Sequence, residues 1–183
     1  MLENIINEAK SAVIAAISGA EDVIGALRDT VTKTVGDTIK SAGSLTEETV
    51  GSVASVAKGA VTALTGTTTS VVDGAAAVAE SVIEGAQNVG GDVVMATKGA
   101  VRGAIAGVAE VGGDTASAVE SILGSAVAKA GSLGADTTMA AKEAVSGALE
   151  AATEIGGKTG NAIKAALKKT ASVPKEVITS ALG

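Results

Sequence analysis

The apolar residues of this chain recur with a period of 11 from one end to the other. When the sequence is written in rows of 11 beginning at Leu2, the first, fourth, fifth, eighth and eleventh positions are apolar or small almost throughout, and Arg28 is the only charged residue among them. Eleven residues in three turns correspond to ~3.67 residues per turn, close to the α-helical value. These positions form one contiguous stripe on a helix, so the pattern predicts amphipathic α-helix along the whole chain.

A period of 22 lies on top of this pattern in the second half. Three copies run from Gly90, Gly112 and Gly134, and a fourth begins at Gly156. The first position of the rows therefore alternates between glycine and a larger residue. We expect each glycine to face a large side chain of a neighbouring helix; alternatively, these glycines add flexibility or mark turns. We also expect the small residues of Gly103–Gly107 to let two helices approach closely.

Several segments are typical of helix ends. Each Gly-Gly-Asp triplet offers a terminating glycine followed by an N-capping aspartate, and Ser44 with Glu47 has the spacing of a capping box. Against this, the 11-residue register continues unchanged through every such segment, so one unbroken helix and a folded hairpin both remain open. The expected breaks are 43–44, 66–70, 90–92, 112–114, 131–136 and 156–160, with a short last helix at 172–183.

The predicted fold is all-α, a single elongated repeat region over residues 1–183. An isolated helix of this kind is marginal until its stripe is covered, so we expect long helices to pack side by side as a straight or slightly right-handed coiled coil. The contact residues expected along the stripe are Ile17, Ile39, Val50, Val61, Val72, Ile83, Gly90, Val94, Val101, Ile105, Gly112, Leu123, Gly134, Val145, Leu149 and Gly156.

The composition excludes most chemistry. The chain has no His, Cys, Phe, Tyr or Trp, and it has 24 Gly. The commonest general base, thiolate metal sites and large aromatic core residues are therefore missing. Asp92, Asp114 and Asp136 are too far apart along a helix to converge on one cation, and Gly90-Gly91-Asp92 lacks the rest of a phosphate loop. We expect no enzyme, no cofactor and no metal.

Charge is distributed unevenly. Residues 1–157 hold 9 basic and 19 acidic side chains, whereas residues 158–183 hold five Lys and only Glu176, which makes them +4 within a total of −6. An acidic body argues against nucleic-acid binding. A basic end on an acidic body favours self-association, although Lys at a helix C-terminus also complements the helix dipole.

The N-terminal stretch does not fit a secretory signal, because Glu3 and Glu8 occupy the region that should be basic. No window of 18 uncharged apolar residues predicts a spanning helix. A cytoplasmic location is the default expectation.

The pattern resembles the 11-residue amphipathic repeat proteins. Ala57–Val61 (AKGAV) and Thr97–Val101 (TKGAV) look like repeats of synucleins and perilipins, which implies a helix lying on lipid. Bacterial phasins, which coat storage granules, are similar in composition. The regular Gly/Ala register is closer to long hendecad coiled-coil proteins, which implies helical oligomers.

Two main hypotheses of function follow. The chain is a structural protein that self-assembles into a homo-oligomeric rod, bundle or filament through its stripe. Alternatively, it coats a lipid or storage-granule surface and becomes helical on binding. A third hypothesis is a protectant that turns helical on drying.

Overall fold

The computed structural model describes residues 2–183, so Met1, which opens the predicted repeat region, lies outside it, as does the side chain of Leu2. Over that range the chain forms nine helices and no strand, which confirms the all-α prediction. The helices are α1 (Leu2–Ile17), α2 (Val23–Ala42), α3 (Glu47–Ala63), α4 (Val71–Asn88), α5 (Val93–Glu110), α6 (Thr115–Ser132), α7 (Thr137–Ile155), α8 (Gly157–Lys169) and α9 (Lys175–Leu182).

The 22-residue period is one helix plus one turn. Gly90, Gly112 and Gly134 follow three successive helices with φ between 72° and 85°, a conformation that glycine adopts without steric cost. The aspartate two residues later caps the next helix, and Asp92 Oδ1, for example, accepts hydrogen bonds from the backbone N–H groups of Val94 and Met95 at 2.8 and 3.1 Å. The Gly-Gly-Asp triplets at Gly90 and Gly112, and Gly-Ala-Asp at Gly134, each lie between the end of one helix and the start of the next.

The helices are interrupted at 43–46, 64–70, 89–92, 111–114, 133–136 and Gly156, within or beside the segments with helix-end signals, and α9 lies inside 172–183. A further interruption at 18–22, with Gly19 at φ 80°, was not predicted. Residues 2–183 do not form one unbroken helix, because the longest helix among them has only 20 residues.

Helix α3 begins two residues later than the capping-box pattern predicted. Thr46, not Ser44, is its N-cap, and the partner is Thr49 rather than Glu47. The Thr46 N–H donates to Thr49 Oγ1 at 2.6 Å, while the Thr49 N–H donates to Thr46 Oγ1 at 3.4 Å. Threonine competes with serine for this position because both hydroxyls accept from the first turn.

The helices pack in two layers. One layer holds α1, α3, α5, α7 and α9 in that order, and the other holds α2, α4, α6 and α8. From α1 to α8, each helix also packs against its neighbours in the chain, which lie in the opposite layer. Consecutive helices joined by short turns run antiparallel, so helices within one layer run parallel. Stacked helix pairs of this kind form α-solenoids, and the predicted long coiled coil is not formed within residues 2–183.

The core lies between the two layers and is built from small aliphatic side chains. Ala100, Val101, Ala104 and Val108 of α5 are all fully buried. Four buried hydroxyls, those of Ser55, Thr62, Ser81 and Thr97, donate to a carbonyl of their own helix, as when Thr97 Oγ1 donates to the Val93 carbonyl at 2.8 Å. The chain therefore covers its own apolar stripe by folding back on itself.

Candidate interaction surfaces

Most of the side chains expected at the stripe contact are buried inside the chain. Ile17 and Ile39 are buried, and Val72, Val94 and Leu149 are half-buried. The remaining large residues of the stripe are at most 1% exposed: Val50, Val61, Ile83, Val101, Ile105, Leu123 and Val145. These residues pack helices of one chain against each other.

The glycines of the stripe do not lie at helix contacts. Gly90, Gly112 and Gly134 are in turns, and a Cβ atom added to any of them would meet nothing within 4 Å. Gly156 separates α7 from α8 with φ 65°. The prediction that these four glycines face large side chains is wrong, because the 22-residue period places them at helix ends.

Other glycines make the close contacts. Gly59, Gly103 and Gly147 lie 44 residues apart in α3, α5 and α7. A Cβ atom added to Gly59 would lie 3.1 Å from the Ala9 Cβ, and one added to Gly103 would lie 2.7 Å from the Ala57 Cβ. They occupy the third position of the 11-residue rows, outside the predicted stripe. Their recurrence every 44 residues could have identified them, but in rows of 11 they appear only at the third position of every fourth row.

The close approach predicted for Gly103–Gly107 is confirmed. Gly103 lies against the Ala54 carbonyl, and a Cβ added to Gly107 would lie 2.7 Å from the Val61 Cβ. Two glycines one turn apart bring α5 onto the backbone of α3. The small-residue surface therefore sets the distance between parallel helices of one layer.

Ion pairs connect the same parallel helices at a nearly constant sequence offset. Lys58 pairs with Glu110, and Arg102 pairs with Glu154, which lie one 44-residue unit further along the chain. In the other layer, Arg28 Nη2 lies 2.8 Å from Glu80 Oε2. All three pairs span 52 residues. Such exposed pairs contribute roughly 0–1 kcal/mol each, but their repetition shows that the layers keep one register.

Lys98 joins three helices. Its ammonium lies 3.0 Å from Glu47 Oε2 in α3 and 2.9 Å from Glu150 Oε1 in α7, and its side chain is only 12% exposed. The hydrogen bond with Glu150, followed by the one with Glu47, raises the pKa of Lys98, although partial burial opposes the shift. A lysine held protonated between two carboxylates is not a nucleophile or a general base near neutral pH, so this cluster is a structural connection.

Carboxylates do not cluster for metal binding in the part of the chain that the structure describes: no group of three or more suitable ligands is found there. Like Asp92 and Asp136, Asp114 caps the helix that follows its turn. It accepts from Ser117 Oγ at 2.7 Å and from two backbone N–H groups, and these bonds lower its pKa. Across residues 2–183, no helix is both long and apolar enough to cross a membrane.

One end of the array carries a groove between α1 and α2. Ile5, Ala9 and Ala12 line one side, and Thr30 and Thr34 line the other. Each threonine hydroxyl donates at 2.8 Å to the carbonyl four residues before it. These polar groups therefore need no partner in the groove, which presents small, largely apolar walls.

The opposite end is basic. On α8, Lys158, Lys164, Lys168 and Lys169 are exposed, and Lys175 follows at the start of α9. All the ion pairs found among residues 2–183 lie between Arg28 and Glu154. The two ends of the array therefore differ in both shape and charge.

A comparison with models of known protein families gives no match, and neither does a comparison with curated proteins. The resemblance to hendecad, synuclein, perilipin and phasin repeats stays a prediction from the sequence pattern. The proposals below rest on the contacts, burial and charges of this chain.

Proposed function

We propose that this protein is structural and assembles with copies of itself, each copy contributing a prefolded block of stacked helix pairs. The observation that supports this proposal is the open array. In the described part of the chain, helices α3 to α7 each pack against a neighbour on both sides within their layer, whereas α1, α2, α8 and α9 each do so on a single side. Repeat arrays are stabilised by such nearest-neighbour interfaces, so the end helices are the natural place for another copy.

The element that assembles differs from the one expected from the pattern alone. The long stripe is buried between the layers, so the proposed rod or filament grows from the ends of folded blocks and not from extended helices lying side by side. A head-to-tail contact that does not close into a ring produces an open filament. No cofactor, metal or nucleic acid takes part in this proposed role.

Sedimentation velocity over a wide range of protein concentration tests the proposal, with circular dichroism on the same samples. A helical protein whose mass rises above the 17.4 kDa of one chain supports self-assembly. Electron microscopy of the heaviest fractions then distinguishes rods from closed oligomers. A fully helical monomer at every concentration would contradict the proposal.

The second candidate is a coat on a lipid or storage-granule surface. It is favoured by the continuity of the stripe, since an opened chain would present one long amphipathic surface. The folded chain presents little apolar surface: Ile14 and Met139 are the large hydrophobic side chains that residues 3–183 expose. Binding to lipid in this way therefore requires the two layers to separate.

Flotation with lipid vesicles or oil droplets separates the two candidates. Under the first proposal, the chain stays in the aqueous fraction and keeps the stability of its folded bundle. The coat is supported if the chain floats with the vesicles and if a cysteine introduced by Val101→Cys, buried in the folded chain, then reacts with a thiol reagent.

A further inference from the structure

We infer that the exposed basic face of α8 in one copy docks in the groove between α1 and α2 of a second copy. This inference rests on the proposed self-assembly and identifies its two surfaces. It uses three observations: the shape of the groove, the face of α8, and the opposite charges of the two ends.

The groove lies where a further helix of the second layer would pack. In that layer, α4 lies against α2, α6 against α4, and α8 against α6, but within residues 2–183 no helix packs extensively on the other side of α2. Ser52 of α3 reaches the groove between α1 and α2. The groove therefore continues an arrangement of packed helices that the chain already uses three times.

Small side chains make the groove suitable for a helix. Ile5 and Ala12 on α1 and Thr30, Thr34 and Thr38 on α2 line the groove, together with Ala9, which is only 2% exposed. Elsewhere in the chain, small residues allow helices to approach until backbones touch, as at Gly103. A helix with small residues on its own contact face can approach this groove in the same way.

Acidic side chains border the groove. Glu8 lies on α1, while Asp29 and Asp37 lie on α2, with Lys33 between them as the one cation that lines the groove in the described chain. Asp29 and Asp37 are exposed. The groove therefore carries a net negative charge that attracts a basic helix.

Helix α8 has a matching exposed face. At about 100° per residue, Lys158, Ala162, Ala165 and Lys169 share one side of the helix, and all four are exposed. The opposite side, with Ile163 and Leu167, is buried in the core. The exposed side thus has alanines at its centre and lysines at both ends, which complements a groove with small walls and acidic borders.

The same chain carries both surfaces, so a second copy is the partner. Residues 158–183 carry +4, while residues 1–157 carry 9 basic and 19 acidic side chains. Because the two surfaces are at different ends of one chain, each contact leaves a free groove and a free α8. Such a heterologous contact repeats, and it grows a chain of copies rather than a closed pair.

Charge reversal tests the inference. One variant carries Lys158→Glu and Lys169→Glu on α8, and the other carries Asp29→Lys and Asp37→Lys on the groove. Each variant alone should need at least about tenfold more protein to assemble, because like charges now face each other across the contact. An equimolar mixture of the two should assemble again, since every groove then meets an α8 of opposite charge. Lys142→Glu, on the exposed side of α7, is the matched control and should assemble as the parent does.

Cross-linking gives a second, independent measurement. The chain has no cysteine, so a protein with Thr34→Cys and Ala165→Cys should form a ladder of disulfide-linked multimers under oxidation. Thr34→Cys with Lys142→Cys should not. If the parent chain stays monomeric at all concentrations, self-assembly itself is wrong and this inference fails with it. If the parent assembles while both reversed variants assemble equally well and no ladder forms, the docking surfaces are wrong and self-assembly stands.

Discussion

Gly103 of α5 lies directly against the backbone carbonyl of Ala54 in α3, and no room remains for a side chain between them. A Cβ atom at Gly103 would also come within 2.7 Å of the Ala57 Cβ. Gly59 and Gly147 take the corresponding places in the neighbouring helices of the layer. The spacing of the parallel helices therefore depends on a glycine, which has no side chain, at the same place in each 44-residue unit.

The first prediction concerns this contact. Gly103→Ala should lower the free energy of unfolding by about 1–3 kcal/mol, because the added methyl must push α5 away from α3. Urea unfolding followed by circular dichroism measures the change. The effect runs against intrinsic preference, since alanine is the better helix former by about 1 kcal/mol.

Gly51 provides the control for Gly103. It lies inside α3, and a Cβ atom added there would meet nothing within 4 Å. Gly51→Ala should therefore raise the free energy of unfolding by up to about 1 kcal/mol. If both substitutions stabilise the chain equally, the close approach of α3 and α5 is not a constraint.

A second prediction concerns the turn glycines. Gly112 has φ 72°, so Gly112→Ala should lower the free energy of unfolding by about 1–2 kcal/mol through the left-handed backbone alone. Asparagine adopts this conformation more readily, so Gly112→Asn should cost less. The oligomeric state, measured by sedimentation, should not change in either variant. Equal losses for Ala and Asn would show that backbone conformation is not the cause.

The third prediction concerns pH. Because the pKa of Lys98 is raised above 10.5 in the folded chain, folding favours its protonated form. The stability that this lysine contributes is fully present below pH 10.5 and is lost as the pH rises through the folded pKa. Lys98→Met should therefore destabilise the protein by about 1 kcal/mol near neutral pH, and by less above pH 10.5. Urea unfolding of both proteins at several pH values measures this difference.

Lys142→Met shows what the loss of a lysine does when no carboxylate of the described chain pairs with it. The prediction for Lys98 is wrong if its substitution costs the same free energy at neutral pH and well above pH 10.5. If Lys98→Met destabilised the protein more at high pH than at neutral pH, folding would favour the neutral lysine. Glu47 and Glu150 could then not be what raises the pKa of Lys98.

The fourth prediction concerns the repeat itself. Removing Asp92–Ala135 deletes α5 and α6 and rejoins Gly91 to Asp136, which restores a Gly-Gly-Asp turn. Helix α7 should then pack on α3 through Gly147 as α5 does through Gly103. The shortened chain should remain helical and unfold cooperatively, at lower urea concentration because it has fewer interfaces. Loss of helix in this variant would show that the units are not interchangeable. Removing residues that do not form a whole pair, such as α5 alone, should abolish folding.

The sequence pattern predicted the helices and their buried faces well. Val101, Ile105 and Leu123 are on the stripe and are fully buried, because an amphipathic period reports which face is hidden from water. The same pattern could not show what hides it. A helix covered by its own chain and a helix covered by another copy have the same periodicity.

The length of the turns explains why the 11-residue register did not reveal the breaks between helices. A helix and its turn together take two rows of 11, so the rows pass through Gly112 as if the helix continued. The pairing of α3 with α5 is a long-range property. In the sequence it is visible only as glycines that recur every 44 residues and as opposite charges 52 residues apart. Lys58 with Glu110 and Arg102 with Glu154 are the clearest examples.

Within residues 2–183, extensive packing joins only helices that are one or two apart in chain order. Nothing comparable ties α1 to α7 or α2 to α8. A force applied to the two termini would therefore meet the interfaces one after another, and the chain would lengthen in steps of similar size as successive helix pairs detach. We therefore expect its extension under load to grow with the number of helix pairs, with a similar force at each step.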